Sequence, residues 1–485
     1  MPDSISLTFL GTAAGRPSTT RNVSSLALKL DAKVWVFDAG EGTQHQLMDK
    51  RCQGVPMGKV ERIFVTHMHA DHVNGLPGLL CTISAGEGSV QPGTEDPRLK
   101  EAQSIPPTQI YGPSGLRLFL RTCLALTHST LTRPYVVHEL LFPDEPVERG
   151  ALHPSERRGR DIRCEADGFW RGVVRESEAA GVRVDVGPIL HTVRCLGYLV
   201  VESPRPLPIN PALYIPHLKN PSNAADLASQ GFKNPMRVLS HLQTSRTPVR
   251  LADGTTLDPP PIGGRGRRIL ILGDTYDASP VVPLVEELPR DDEAEAGERG
   301  EAWLDLVVHE STNAYLPLHD PSQHASKLRP DGSVAHSLES VTRLAREHGH
   351  STPQVAGSFA KRVRTERLVL NHLSVKYPDP GDETSVVVEG PDEEGREDEN
   401  KKAWRGMLGE IERQAREAFL GSETELTEVV DGRDRGHDPE ADAGGARGRD
   451  DWRVKTARDF MRIDVPRRDK VAVRDETAKV EKSKR

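Results

Sequence analysis

Three histidines and an aspartate fall within six residues, in the order His67-x-His69-x-Asp71-His72. Burying so many polar groups without partners is costly. Imidazole nitrogens with a carboxylate suit borderline divalent metals such as zinc. Four donors from one loop cannot complete two coordination shells. A paired-metal site, with ions about 3.5–4 Å apart, needs more protein ligands and a bridging carboxylate. The chain offers His191, Asp274 and His372, each beside an apolar run. The reading gives His67, His69 and His191 to one zinc, and Asp71, His72 and His372 to a second. Asp274 bridges. A single histidine is ordinarily a core or surface residue; these gain weight from their place after apolar strands. Asp38, in the turn Asp38-Ala39-Gly40-Glu41-Gly42-Thr43-Gln44, is expected to orient a metal-bound histidine from behind.

Such a pair of ions lowers the pKa of water towards neutrality. Asp71 is then expected both to bind metal and to take the proton of the attacking water. His309 is the expected proton donor to the leaving oxygen, with Glu310 beside it to fix or charge the imidazole. This machinery serves hydrolysis of phosphodiesters, esters or lactams. The metal donors alone do not choose among them.

The elements that must position these groups are short apolar strands. Ser6 to Leu10, Ser25 to Leu30, Lys33 to Asp38 and Arg62 to Thr66 precede or lead into the histidine loop. Val182 to Val186, Gly197 to Val201, Arg268 to Leu272, Leu304 to Val308 and Arg367 to Asn371 precede or flank the other donors. Loops at one edge of a sheet are where α/β proteins place their sites. Helical spacing is expected over residues 115–126, 337–347 and 352–363. Gly88 to Pro107 and Asp320 to Gly332 read as polar loops. From Ser203 to Arg268 prolines, asparagines and glycines multiply. Between Ser203 and Arg250 six basic residues face one acid, Asp226. This stretch reads as a protruding basic arm rather than core. Pro391 to Asp451 is acidic, with a surface helix expected over Ala403 to Leu420 and disorder over Asp431 to Asp450. Asp459 to Val465 reads as a terminal strand.

The bulk numbers narrow the class. No apolar run of about 18 residues is present, which argues against a membrane-spanning helix. Met1-Pro2-Asp3-Ser4 passes straight into a strand, so no secretory signal is expected. Five scattered cysteines show no metal spacing, which fits reduced thiols in the cytoplasm or nucleus. A formal charge of −8 disfavours indiscriminate coating of nucleic acid.

The His-x-His-x-Asp-His loop resembles the metallo-β-lactamase superfamily, and more of the chain resembles the short form of ribonuclease Z. The matching stretches include Phe9-Leu10-Gly11-Thr12, Gly75-Leu76-Pro77-Gly78, Ile110-Tyr111-Gly112-Pro113 and Gly273-Asp274-Thr275. They continue with His309-Glu310-Ser311-Thr312, Gly349-His350-Ser351-Thr352, Asn371-His372-Leu373-Ser374 and Asp459-Phe460-Met461. The resemblance implies an α/β fold, an αββα sandwich of two mixed sheets flanked by helices, with a protruding tRNA-gripping arm. It implies two Zn²⁺ per chain, held by His67, His69, Asp71, His72, His191, Asp274 and His372. Asp71 and His309 would be the catalytic pair. It further implies a homodimer and a precursor-tRNA substrate cut after the discriminator base to leave a 3′ hydroxyl, with no DNA and no membrane partner. Arg21, Lys219, Lys233 and Arg237 are the expected RNA contacts. The arm departs from the family's Gly-Pro element, reading Gly231-Phe232-Lys233-Asn234-Pro235-Met236. The loop Pro17-Ser18-Thr19-Thr20-Arg21 lacks the family's lysine.

The expected organisation is a nuclease domain over residues 1–390 carrying the arm at 203–268. A largely disordered insert follows at 391–456, then a terminal strand at 457–470 and a charged tail at 471–485. A zinc phosphodiesterase acting on RNA 3′ ends or cyclic phosphates is the alternative, followed by a non-catalytic RNA-binding homologue. A lactam or thioester hydrolase is disfavoured by the basic arm.

Overall fold

Two sheets with alternating faces dominate the computed structural model. It describes residues 2–85, 105–177, 179, 181–263, 265–289, 302–320, 323, 336–381, 399–421 and 452–467. The first sheet is built from β1 (Ile5–Gly11), β2 (Ser25–Leu30), β3 (Lys33–Phe37), β4 (Val60–Phe64), β5 (Thr108–Pro113) and β6 (Tyr135–Leu141). The short β7 (Glu156–Arg157) and β8 (Asp161–Arg163) both pair with β6. The second sheet holds β9 (Trp170–Val174), β10 (Val182–Ile189) and β11 (Cys195–Glu202). Two further strands, β12 (Val249–Arg250) and β13 (Thr256–Leu257), form a separate hairpin. The second sheet continues through β14 (Arg268–Leu272), β15 (Leu306–Glu310) and β16 (Leu368–Asn371).

Alternation along each strand explains the layers. In β14, Ile269 and Ile271 join the core between the sheets, whereas Leu270 and Leu272 face the other way, into a helical layer. Leu7, Phe9, Trp35, Phe37 and Phe64 meet Val184, Tyr198 and Val308 in that inter-sheet core. The outer face of the first sheet is covered by α1 (Thr43–Met48), α3 (Leu76–Ala85) and α4 (Leu116–Leu126), with the four-residue α2 (Ala70–Val73) between α1 and α3. Both sheets mix parallel and antiparallel pairs, as the αββα expectation requires.

Among the described residues, 202–263, 265–267 and Arg467 cluster as a unit apart from the rest. The sequence reading treated this stretch as arm rather than core, but it has a core of its own. Helices α5 (Pro211–Leu218), α6 (Pro221–Ser229) and α7 (Arg237–Thr244) bury Leu218, Leu227, Val238 and Leu242 with Val249, Leu251 and Leu257 of the hairpin. Its apolar residues are sparse, yet three short helices need only one or two each. At its base the Glu202 carboxylate accepts from Arg267 Nε (2.7 Å) and Nη2 (2.9 Å).

The larger unit also has α8 (Val282–Glu286), α9 (Leu338–Glu347), α10 (Pro353–Arg362) and α11 (Glu399–Leu420). The expected surface helix is in fact α11, and it is not a surface element. Leu408, Ile411, Ala415 and Phe419 are buried with Phe359 of α10. A Cβ on Gly357 would lie 2.2 Å from the Ala415 carbonyl oxygen, so only glycine lets these helices approach so closely. The apolar spacing of α11 is diluted by charged residues on its other face, which disguised its role. The expected single terminal strand is two: β17 (Val454–Thr456) joins the second sheet, and β18 (Arg462–Asp464) joins the first. The polar loops of residues 88–107 and 320–332 lie largely outside the described residues, as do residues 431–450 and the tail from 468.

Ile411→Ala is expected to cost about 2–5 kcal/mol, the usual range for a large-to-small change in a core. Chemical denaturation measures it. A loss within about 0.5 kcal/mol, typical of exposed positions, would return α11 to the surface.

Candidate metal centre

Strand β4 carries the histidine loop to the sheet edge. Phe64 stacks on Phe37 and Tyr111 at ring separations of 4.8 and 5.2 Å, and the Tyr198 hydroxyl donates to the Val65 carbonyl (2.6 Å). A Cβ at Gly75 would stand 1.9 Å from the Gly40 carbonyl oxygen, so glycine is required where the loop crosses the Asp38 turn.

From this support His67, His69 and His72 converge with residues from the second sheet. His67 Nε2, His69 Nδ1, His191 Nε2 and an Asp274 oxygen form one group; Asp71, His72 and His372 form another. Their ligand atoms lie within 4.8 Å of one another in each group. Asp274 lies between the two. Its Oδ1 is 3.4 Å from His72 Nε2, and its Oδ2 is 3.3 Å from His372 Nε2 and 3.7 Å from His67 Nε2. The three parallel strands β14, β15 and β16 end at this edge, delivering Asp274, Glu310 and His372.

The far nitrogens of His72, His191 and His372 are held from behind. Asp38 Oδ2 lies 2.7 Å from His72 Nδ1, while its two oxygens accept from Thr66 N and Oγ1. The Gly349 carbonyl lies 2.7 Å from His191 Nδ1, and Thr312 Oγ1 is 3.1 Å from His372 Nδ1. Asp38 and His372 have φ of +56° and +51°. Non-glycine residues rarely adopt such angles, and the surrounding bonds hold them there.

The electrostatics fit a cation. Burial and the neighbouring His72 push the His67 imidazole well below its ordinary pKa despite Asp274, so it stays neutral with a free lone pair. Burial disfavours charge on His72, yet Asp274 and Asp38 outweigh it and raise that imidazole. Burial likewise raises Asp71, but the His372 hydrogen bond and the His72 charge win, and the carboxyl falls below its usual value. Carboxylates held ionised among converging imidazoles draw positive charge to this point. Divalent ions meet that demand through the same donor atoms.

His309 is not part of this group. On β15, Leu306 and Val308 face the inter-sheet core, whereas Val307 packs in the helical layer. His309 shares the side of Val307. Its ring lies 5.4 Å from that of Phe359, its Nδ1 donates to the Glu310 carbonyl (2.7 Å), and Nε2 is buried without a partner among the described residues. Period-two alternation after Val308 carried this signal, since it sends Glu310, not His309, towards the site.

Glu310 is buried against the cluster. Its Oε1 accepts from Thr275 N (2.8 Å) and lies 3.1 Å from His350 Nδ1; its Oε2 accepts from Thr312 Oγ1 (2.7 Å) and Ser351 N (3.1 Å). His350 was quoted in the sequence only as part of a matching stretch, with no role. It lies 3.9 Å from Asp274, and its ring is 5.5 Å from that of His372. Burial lowers its pKa, but the hydrogen bond and charge of Glu310, helped by Asp274, lift it to about 9.

Arg21 is likewise removed from the expected RNA contacts at the surface. It is 1% exposed, with Nε donating to the Tyr377 carbonyl (2.9 Å) and Nη1 to Thr12 Oγ1 and the Ala457 carbonyl (both 2.7 Å). Lys219, Lys233 and Arg237 are exposed on the smaller unit.

Among known proteins, a family model described as anti-Pycsar protein Apyc1 matches residues 5–87. Human zinc phosphodiesterase ELAC protein 1 is 34% identical over 388 residues, 77% of this chain and 87% of the relative. Ribonuclease Z of Lacticaseibacillus casei is 31% identical over 379 residues, 77% of this chain and 86% of that protein. Among solved structures, the short form of human tRNase Z aligns with 76% of this chain and 93% of its own, at 28% identity and a TM-score of 0.44.

Proposed function

The chain belongs to the family of zinc phosphodiesterase ELAC protein 1 and ribonuclease Z, and from that premise we propose that it is a zinc-dependent endoribonuclease removing 3′ trailers from precursor tRNA. The observation that carries the reading is the convergence of all seven expected donors at one sheet edge, in a chain of this descent. The cut follows the discriminator base and leaves a 3′ hydroxyl on the tRNA. His67, His69 and His191 would hold one zinc and Asp71, His72 and His372 a second, with Asp274 placed between the two groups. Zinc held there would activate water near neutral pH and offset charge on the phosphoryl oxygens.

The chain's own groups manage the protons. Asp71, kept ionised by His372 and His72, accepts the proton of the attacking water. His350, charged by Glu310, holds a proton for the departing 3′ oxygen. Glu310 positions it through contacts from Thr275, Thr312 and Ser351. Exposed Lys219, Lys233 and Arg237 contribute phosphate contacts, the sequence-independent part of RNA affinity. A homodimer in the cytoplasm or nucleus belongs to the same reading; among the described residues no helix is long and apolar enough to cross a membrane.

Purified protein incubated with a 3′-extended precursor tRNA tests this. Mapped ends are expected at the discriminator. Normal zinc content without cleavage near the acceptor end would overturn the reading.

The smaller unit allows a second test. Gly263 N donates to the Arg205 carbonyl (2.7 Å), so its two chain crossings lie side by side. Replacing residues 206–262 by a short glycine linker is expected to leave bis-p-nitrophenyl phosphate hydrolysis within a few-fold. Precursor-tRNA affinity should fall by tenfold or more. Equal loss on both substrates would show that the unit serves stability; unchanged RNA cleavage would point to a small phosphodiester as the substrate.

A further inference from the structure

A cavity of 420 Å³ is lined in part by Ser18 and Asp379, on two segments that start at the metal centre, and is used by none of the chemistry above. Two segments lead from the centre to its wall. Gly15 N donates to Asp71 Oδ2 (2.7 Å), and Ser18, three residues on, lines the cavity. Three residues span at most about 11 Å. The second segment leaves His372 and reaches Asp379, also in the wall; Arg21 Nε joins the two at the Tyr377 carbonyl.

The lining combines an aromatic face with unspent positive charge. Trp404 is half-buried, and Lys401 stands one turn before it on α11. Neither Lys401 nor Arg458 makes an ion pair among the described residues; Arg458 only donates to the Gly381 carbonyl (3.4 Å). Arg21 is buried in the wall, and its Nη2 has no hydrogen-bond partner among the described residues. The acids of the wall are satisfied within the protein. Asp459 accepts from Thr12 Oγ1, Asn22 N and Gln46 Nε2, and Asp379 from Gly381 N.

A volume in this range suits a small ligand and takes one nucleotide, not a duplex. We propose that the cavity binds an unpaired nucleotide flanking the scissile phosphate, its base against Trp404 and its phosphate against Lys401 and Arg458. The inference rests on the RNA-cleaving reading. It assigns to α11 a part in substrate grip. Base-on-aromatic stacking is sequence-tolerant, which suits trailers of varied sequence.

Trp404→Ala and Lys401→Ala are the variants. With bis-p-nitrophenyl phosphate, too small to reach the cavity, both should match the parent, which also shows that they fold. With a precursor carrying an eight-nucleotide trailer, KM should rise about 5- to 100-fold for Trp404→Ala, the usual range for one stacked base. A precursor with a one-nucleotide trailer locates the ligand. A rise with both is expected for a nucleotide flanking the scissile phosphate; a rise confined to the long trailer would place a more distal trailer nucleotide in the cavity and overturn the flanking assignment. Unchanged KM with both substrates overturns the proposal. Adenosine 5′-monophosphate titrated into parent and Trp404→Ala gives an independent readout, with affinity expected to fall at least fivefold. If the parent cuts no precursor tRNA, the functional reading fails by itself, and this titration still decides the cavity.

Discussion

His350→Ala is expected to lower precursor-tRNA cleavage by roughly 10²–10⁴, the usual worth of a positioned acid or base, without loss of bound zinc. His309→Leu is expected to keep the rate within a few-fold. The contrast follows from where each ring points. His350 Nδ1 is 3.1 Å from the Glu310 carboxylate and its ring neighbours His191 and His372. His309 packs on Phe359, with an unpartnered Nε2. Leucine removes that buried unpaired nitrogen. The pH profile provides a second signature. Glu310 lifts His350 to about 9 against the effect of burial, and bound cations pull that value down. A donor must be protonated, so the basic limb of kcat should fall at or below pH 9 in the parent and vanish in His350→Ala. Glu310→Gln, which keeps the shape but removes the charge, should move that limb towards lower pH. Loss of zinc from His350→Ala would make it a ligand instead. Equal rate losses in the two histidine variants would remove the distinction.

Asp274→Ala is expected to be the more damaging change. Its carboxylate lies 3.3–3.9 Å from nitrogens of His67, His72, His191, His350 and His372. If Asp274 bridges as proposed, removing it would take one donor from each ion and leave the imidazoles with less opposing charge. Zinc content should fall below one ion per chain. Hydrolysis of both precursor tRNA and bis-p-nitrophenyl phosphate should drop by about 10³ or more, since metal stabilisation of this kind is worth several kcal/mol. Metal analysis of the purified variant alongside the two assays checks this. Two retained zincs would refute a bridging Asp274. A loss on RNA alone would move the carboxylate from metal binding to substrate binding.

The clustering of the candidate donors was legible because their signals are local. His67 to His72 follow an apolar strand directly, and Asp274 and His372 each cap another. A strand that ends at a sheet edge delivers its next residue there. The same locality explains the error at His309. It stands before Glu310 at the end of an apolar run, so proximity in sequence made it a partner. Yet adjacent residues on a strand point to opposite faces, and His309 shares its face with Val307 rather than with Val308. Arg21 was misplaced for a related reason. An arginine in a polar loop reads as exposed, and nothing local shows that Tyr377 and Ala457, more than 350 residues away, supply carbonyls to bury it.

By itself the sequence determined the donor types, their order and the strands that carry them, because each depends on residues a few positions apart. Only the tertiary structure decided which histidine joins Glu310, which arginine is buried, and that α11 is a core helix lining a cavity. Those outcomes depend on which faces meet after strands and helices from distant parts of the chain have packed. Packing is settled by burial and close approach at contacts such as Gly357 with Ala415, which no local pattern encodes.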